Sequence, residues 1–152
     1  MHPTFKKAVE FHKKGDLINA NKILADILKI KPNDFDALYL NGIIAFQMGK
    51  TDISVKTICK AISINPNNFE AHRNLAIIYK KIGKLNDSIN SFDNAIKINP
   101  KYAIAFYNRG VVKQELGEES DACDDYKLAI NYASPILLKW IKNEVYAWCI
   151  GL

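Results

Sequence analysis

The feature that most limits this chain is a phrase it says three times. "IKPNDFDAL" at Ile30–Leu38 returns as "INPNNFEAH" at Ile64–His72 and as "INPKYAIAF" at Ile98–Phe106, which places Pro32, Pro66 and Pro100 34 residues apart. A fixed period of that size is the sequence signature of a stacked-repeat architecture. Aligning on the prolines brings Gly15, Gly49, Gly83 and Gly117 into one register, each between two segments with apolar residues at helical spacing. Each unit therefore reads as helix, turn, helix. Leu75, Ala76 and Tyr79 share one face of the first helix of the third unit, and Ser88, Phe92 and Ala95 share one face of its second.

Within the period, small residues recur where two helices must approach: Ala8, Gly42, Ala76 and Gly110 on first helices, Ala20, Ser54, Ser88 and Ala122 on second ones. Large residues recur opposite them as Leu24, Ile58, Phe92 and Tyr126, an alternation that fills a helix seam without voids. Proline ends each second helix because it lacks the backbone donor and pushes its predecessor out of helical geometry. Asp34 and Asn68 then offer caps to the next helix. Helix pairs this short cannot bury their own apolar faces, so the units must stack.

These residues resemble four tandem tetratricopeptide repeats, at about 1–34, 35–68, 69–102 and 103–136, in a single domain closed by a C-terminal capping or half-repeat helix at about 135–150. The match is most specific in the third unit, "NLAIIYKKIGKLNDSINSFDNAIKINP". The fourth departs by placing Lys113 where the family has an aromatic or aliphatic residue. The resemblance implies an all-α fold, a right-handed superhelical solenoid of stacked antiparallel helix pairs. Ser134 and Pro135 make a helix start for the last stretch, and Trp140 and Gly151 fall where a fifth repeat would put its first-helix aromatic and its turn glycine. That stretch is apolar on more than one side, from Ile136 to Leu152, so it either docks unusually deeply, makes a second contact such as self-association, or belongs to the front part of something longer.

Composition bounds the function. With 49% apolar and 24% charged residues the chain is an ordinary folded one, and no run approaches the length of a membrane span or a signal peptide, so a cytoplasmic setting is expected. The net charge of +5 divides by repeat as +3, +1, +3 and −3, with +1 after residue 136. The deficit comes from Glu118, Glu119, Asp121, Asp124 and Asp125, read as a solvated helix start favoured by the helix dipole. A calcium loop would need alternating ligands and a central glycine. Cys59, Cys123 and Cys149 lack metal-site spacing and are expected to be packing residues. His2, His12 and His72 stand beside no carboxylate or cysteine at a useful spacing, and the glycines form no phosphate loop, so neither an enzyme nor a cofactor is expected.

The resemblance further implies that first helices line a concave groove. One row would be Phe5, Tyr39, Arg73 and Tyr107; a second Val9, Ile43, Ile77 and Val111; a third His12, Phe46, Lys80 and Gln114, with Lys81 beside it. The second row reads equally as groove or as core. Such a surface, aromatic toward the first two repeats and cationic in the third, suits a peptide with apolar anchors and acidic residues. The carboxylate clamp of tetratricopeptide co-chaperones is absent, since Phe5 with Val9 or Tyr39 with Ile43 occupies its first pair. Asn74 and Asn108 resemble two rungs of the asparagine ladder in O-linked GlcNAc transferases, broken by Lys6 and Leu40. The expected function is a non-catalytic protein-interaction scaffold. The alternatives are a targeting module of a longer enzyme such as a glycosyltransferase, or a nucleic-acid-binding helical repeat. The last ranks lower because 19 lysines accompany only Arg73 and Arg109.

Overall fold

The turn glycines divide the helices. In the computed structural model, which describes residues 3–145 and Cys149, Gly15, Gly49, Gly83 and Gly117 have φ between 75° and 80°. Each sits just past a helix end in a left-handed conformation. The Gly15 N–H bonds the His12 carbonyl and the Asp16 N–H bonds the Phe11 carbonyl, the two reversed bonds of a Schellman stop, and the other three turns repeat the pattern. The helices so delimited are α1 (Pro3–Lys13), α2 (Leu17–Ile30), α3 (Phe35–Gln47), α4 (Thr51–Ile64), α5 (Phe69–Lys81), α6 (Leu85–Ile98), α7 (Ala103–Glu115), α8 (Glu119–Tyr132) and α9 (Pro135–Val145). The described residues contain no strand. Asp34 and Asn68 cap as expected, accepting from the Ala37 and Ala71 N–H groups at 3.0 and 2.8 Å.

The chain forms two compact units, Met1–Ala71 and His72–Leu152. In the first, α1 packs on α2, α2 on α3 and α3 on α4, around a core of Ala8, Ala20, Leu24, Ala37 and Ile44. Gly42 lies directly under Ile58: a Cβ on it would run into the Ile58 Cγ1. The Ser54 hydroxyl donates to the Gly42 carbonyl at 2.7 Å, which satisfies that buried hydroxyl.

The second unit repeats the device. The Ser88 hydroxyl donates to the Ala76 carbonyl at 2.8 Å, and Gly110 lies under the Tyr126 ring, 2.8 Å from where its Cβ would stand. Here α6 packs on α7, α7 on α8 and α8 on α9, around Phe106, Ala122, Tyr126, Ala129 and Ile141. All eight small-residue positions expected from the sequence, and the four large ones opposite them, are buried.

Helix α9 departs from the period. Four residues connect α2 to α3 (31–34), α4 to α5 (65–68) and α6 to α7 (99–102), but only two, 133–134, connect α8 to α9. Pro135 starts the helix early, and its phase shifts by one residue. Ile141 is fully buried, while Trp140, expected at the buried register position of Phe106, is 49% exposed. Tyr146, Trp148, Ile150, Gly151 and Leu152 lie outside the described residues, as does His2.

Candidate functional site

On α3, Tyr39, Ile43 and Phe46 follow one another at helical spacing and all remain half-buried. Phe5 on α1 is half-buried too and packs against the core of the first unit, as does the equally half-buried Val9's neighbour Ala8. Tyr39 stacks on Phe35, ring centroids 5.8 Å apart at 9°. The His12 Nε2 meets the Gln47 Oε1 at 2.9 Å and ties α1 to α3.

In the second unit, Arg73, Asn74, Ile77 and Lys80 on α5 and Tyr107, Asn108 and Val111 on α7 are half-buried, and Lys81 is exposed. The aliphatic row left open by the sequence thus keeps part of its surface in solvent, because its chain neighbours Ile44, Ile78 and Val112 fill the core instead. The cationic reading of the third repeat is reduced: Lys80 is paired with Glu115 of α7 at 2.9 Å. The Arg73 Nη2 donates to the Asn74 Oδ1 at 2.9 Å, while its buried Nε meets no acceptor. The Asn108 amide donates to its own helix at Ile104. Tyr107 packs edge-on against Trp140 at 4.7 Å and against Tyr126 at 5.7 Å. Phe35, Glu115 and Trp140, none of them expected in the site, are therefore in contact with residues that were.

The densest charge cluster is elsewhere. Asp125 is 2% exposed, not solvated as its acidic neighbours suggested. Arg109 of α7 grips it with two donors, Nε at 2.8 Å, and sends its remaining Nη1 to Asp93 of α6; Lys113 reaches Asp125 at 3.0 Å. Burial opposes the charge on Arg109, but the hydrogen bonds and attraction of Asp125 and Asp93 outweigh it and hold the guanidinium above its ordinary range. Lys113, the family-breaking residue, is explained by the same carboxylate. Tyr126 donates to the Gln114 Oε1 at 2.8 Å, and burial, with the charges near it, pushes its phenol up to about 12.

The cysteines correct an expectation in part. Cys59 is exposed, whereas Cys149 packs against the core of the fourth repeat with its Cα 5.5 Å from that of Cys123 on α8. His72 is buried, in keeping with a packing role. Among the described residues no cluster of His, Cys, Asp or Glu could hold a metal ion, and no helix is long and apolar enough to cross a membrane.

One cavity of about 180 Å³ opens in the first unit between the start of α1, the end of α2 and the start of α3. Phe5, Ile27 and Ile30 line it with Asp26, Asp34 and Asp36.

Comparison with known proteins matches two family models described as "Tetratricopeptide repeat" at residues 35–68 and 60–90, and one described as "TPR repeat" at 78–117. No curated protein matches the sequence. Among solved structures, a crystal structure of MamA superposes with a TM-score of 0.79 at 22% identity, over 90% of this chain and 83% of that one. MamA 41-end from Desulfovibrio magneticus RS-1 gives 0.80 at 17%, over 86% and 73%. YrrB, described as a TPR protein with an unusual peptide-binding site, gives 0.79 at 19%, over 92% and 73%. At these identities the likeness establishes the fold, an all-α solenoid of stacked helix pairs, and the family models establish the repeat. The chain belongs to the tetratricopeptide repeat proteins, whose repeats serve as protein-interaction scaffolds.

Proposed function

We propose that the first-helix faces of this scaffold bind an extended or helical segment of a partner protein, one with apolar anchors and acidic residues. The observation that carries this reading is the half-exposure of Tyr39, Ile43 and Phe46 on α3 and of Ile77 on α5. A helix whose core needs are met by the adjacent row has no packing reason to keep large apolar side chains at its surface. The half-buried Arg73 and the exposed Lys81 supply the attraction for carboxylates. Tyr39→Ala and Phe46→Ala should each weaken binding of a partner recovered from the source cell by about 2 kcal/mol, the scale of an interface hot spot, without loss of helical signal. Lys81→Ala should act mainly on association rate and salt dependence. Tight, salt-sensitive binding of single-stranded RNA that survives loss of both aromatics would overturn the peptide reading.

Helix α9 has two roles in this reading. Its Leu137 and Ile141 pack on the core of the fourth repeat and close that flank, so a chain ending at Ser134 is expected to aggregate. Its outer side, with Ile136 in solvent, is a surface for self-association.

A further inference from the structure

We propose that the outer face of α9 docks into the cavity of the first repeat of a second copy of this chain, so that copies join head to tail. The proposal rests on the reading that α9 mediates self-association and adds the surface it meets. Ile136 is 87% exposed and Trp140 49%, and with the exposed Lys139 they stand at i, i+3 and i+4, on one side of the helix. This is an apolar pair around one cation.

The cavity is the complement. It is lined by the apolar Phe5, Ile27 and Ile30 and by Asp26, Asp34 and Asp36 with Lys31, an acidic lining in a chain of net charge +5 that is offset in part by the pairing of Asp26 with Lys29 at 3.0 Å and by the use of Asp34 as the α3 cap. At about 180 Å³ it is smaller than the roughly 300–1,000 Å³ of small-molecule sites and suits side chains from a protein surface. Ile30, at its edge, is 81% exposed.

The second repeat shows what an occupant would do. There Tyr39 is covered by the stacked ring of Phe35. Phe5 holds the register of Tyr39 in the first repeat and lines the cavity. Trp140 of a second copy would supply the aromatic face, Ile136 would cover Ile30, and Lys139 would face the carboxylates. Because the two surfaces differ, the contact is heterologous. It repeats into an open chain or a ring and does not stop at a two-fold dimer.

The test is the mass distribution of the full chain by sedimentation velocity at rising concentration, for the wild type, Ile30→Asp, Ile136→Asp and an equimolar mixture of the two variants. Both positions are exposed, so neither change should disturb the helical signal, which circular dichroism checks. The wild type is expected to form species beyond the dimer. Each variant alone is expected to be monomeric, and the mixture to form a dimer and stop, since one partner keeps only a working cavity and the other only a working helix. Asp36→Lys should weaken association about tenfold, and adding Lys139→Glu should restore it. A wild type that stays monomeric ends the self-association reading altogether. If Ile136→Asp is monomeric while Ile30→Asp still associates, α9 meets some other surface, and the cavity assignment fails while self-association stands. A mixture with no dimer also overturns the head-to-tail contact.

Discussion

In the second repeat, α3 meets α4 where Gly42 lets Ile58 come down onto the helix backbone; in the fourth, α7 meets α8 where Gly110 does the same for the ring of Tyr126. Beside that shared seam the two repeats diverge. Where the second has Asn41, Ala45 and Thr57, the fourth has Arg109 and Lys113, both bonded to Asp125 and largely out of water. The repeat thus fixes shape at the point of closest approach and leaves the chemistry of its flank open. A buried charge cluster is tolerated there because each member is paired.

The largest test of that difference is removal of one member. Asp125→Ala strands the partly buried Lys113 and leaves Arg109 with Asp93 alone, and is expected to cost about 3 kcal/mol in denaturant unfolding, whereas Thr57→Ala at the matching position should stay within about 0.5 kcal/mol. Equal small losses would mean that the charges contribute nothing to the fourth repeat. Next in size is the shared seam. Gly42→Ala and Gly110→Ala each gain helix propensity but force a methyl into Ile58 or Tyr126, and a net loss of about 1–2 kcal/mol is expected for both. A stabilised variant at either site would show that its seam is slack.

A smaller effect separates the repeats by pH. The Tyr126 phenol, ordinarily near 10.0, is held up to about 12 in the folded chain, so the folded state keeps a proton that the unfolded state has lost. Its stabilisation is complete below pH 10 and is lost as pH rises toward about 12. Melting temperatures at both ends of that window should fall less in Tyr126→Phe than in the wild type. The smallest change expected is at the residue beside Asp125. Asp124 pairs with Lys127 in solvent, both side chains more than half exposed, and Asp124→Asn should shift stability by less than about 0.5 kcal/mol.

Much of the fold was legible because the repeat shows itself in residues with few alternatives. Proline after a helix, glycine in a left-handed turn and a small residue under a large one have single physical readings, and Pro66, Gly49 and Gly42 mean what they first suggest. Asp125 was misread because one run of acidic residues serves two environments. It lies at the end of the second turn of α8, where the run still looks like a dipole-matched helix start and only the partner helix reveals the burial. The available signal was coordinated departure: Arg109, Lys113 and Asp125 each break the pattern of the other repeats, at spacings of 4 and 12 that two antiparallel helices bring together. The pairing of Lys80 with Glu115 left no such trace. Of the site, the rows of half-buried side chains on α3, α5 and α7 were legible from helical phase, but the contact of Tyr107 with Trp140 depended on the phase of α9.

That phase bears on how such an array could grow. A solenoid built by duplication behaves like a one-dimensional crystal, and the two-residue connection at 133–134 is a stacking fault in it. One residue of phase turns a helical side chain by about 100°, so a unit added beyond α9 would inherit a misaligned face and set its large residues against large ones. A duplicated third repeat inserted between Tyr102 and Ala103 meets lattice-matched surfaces on both sides and should be accommodated. The same sequence grafted beyond the fault should not stack.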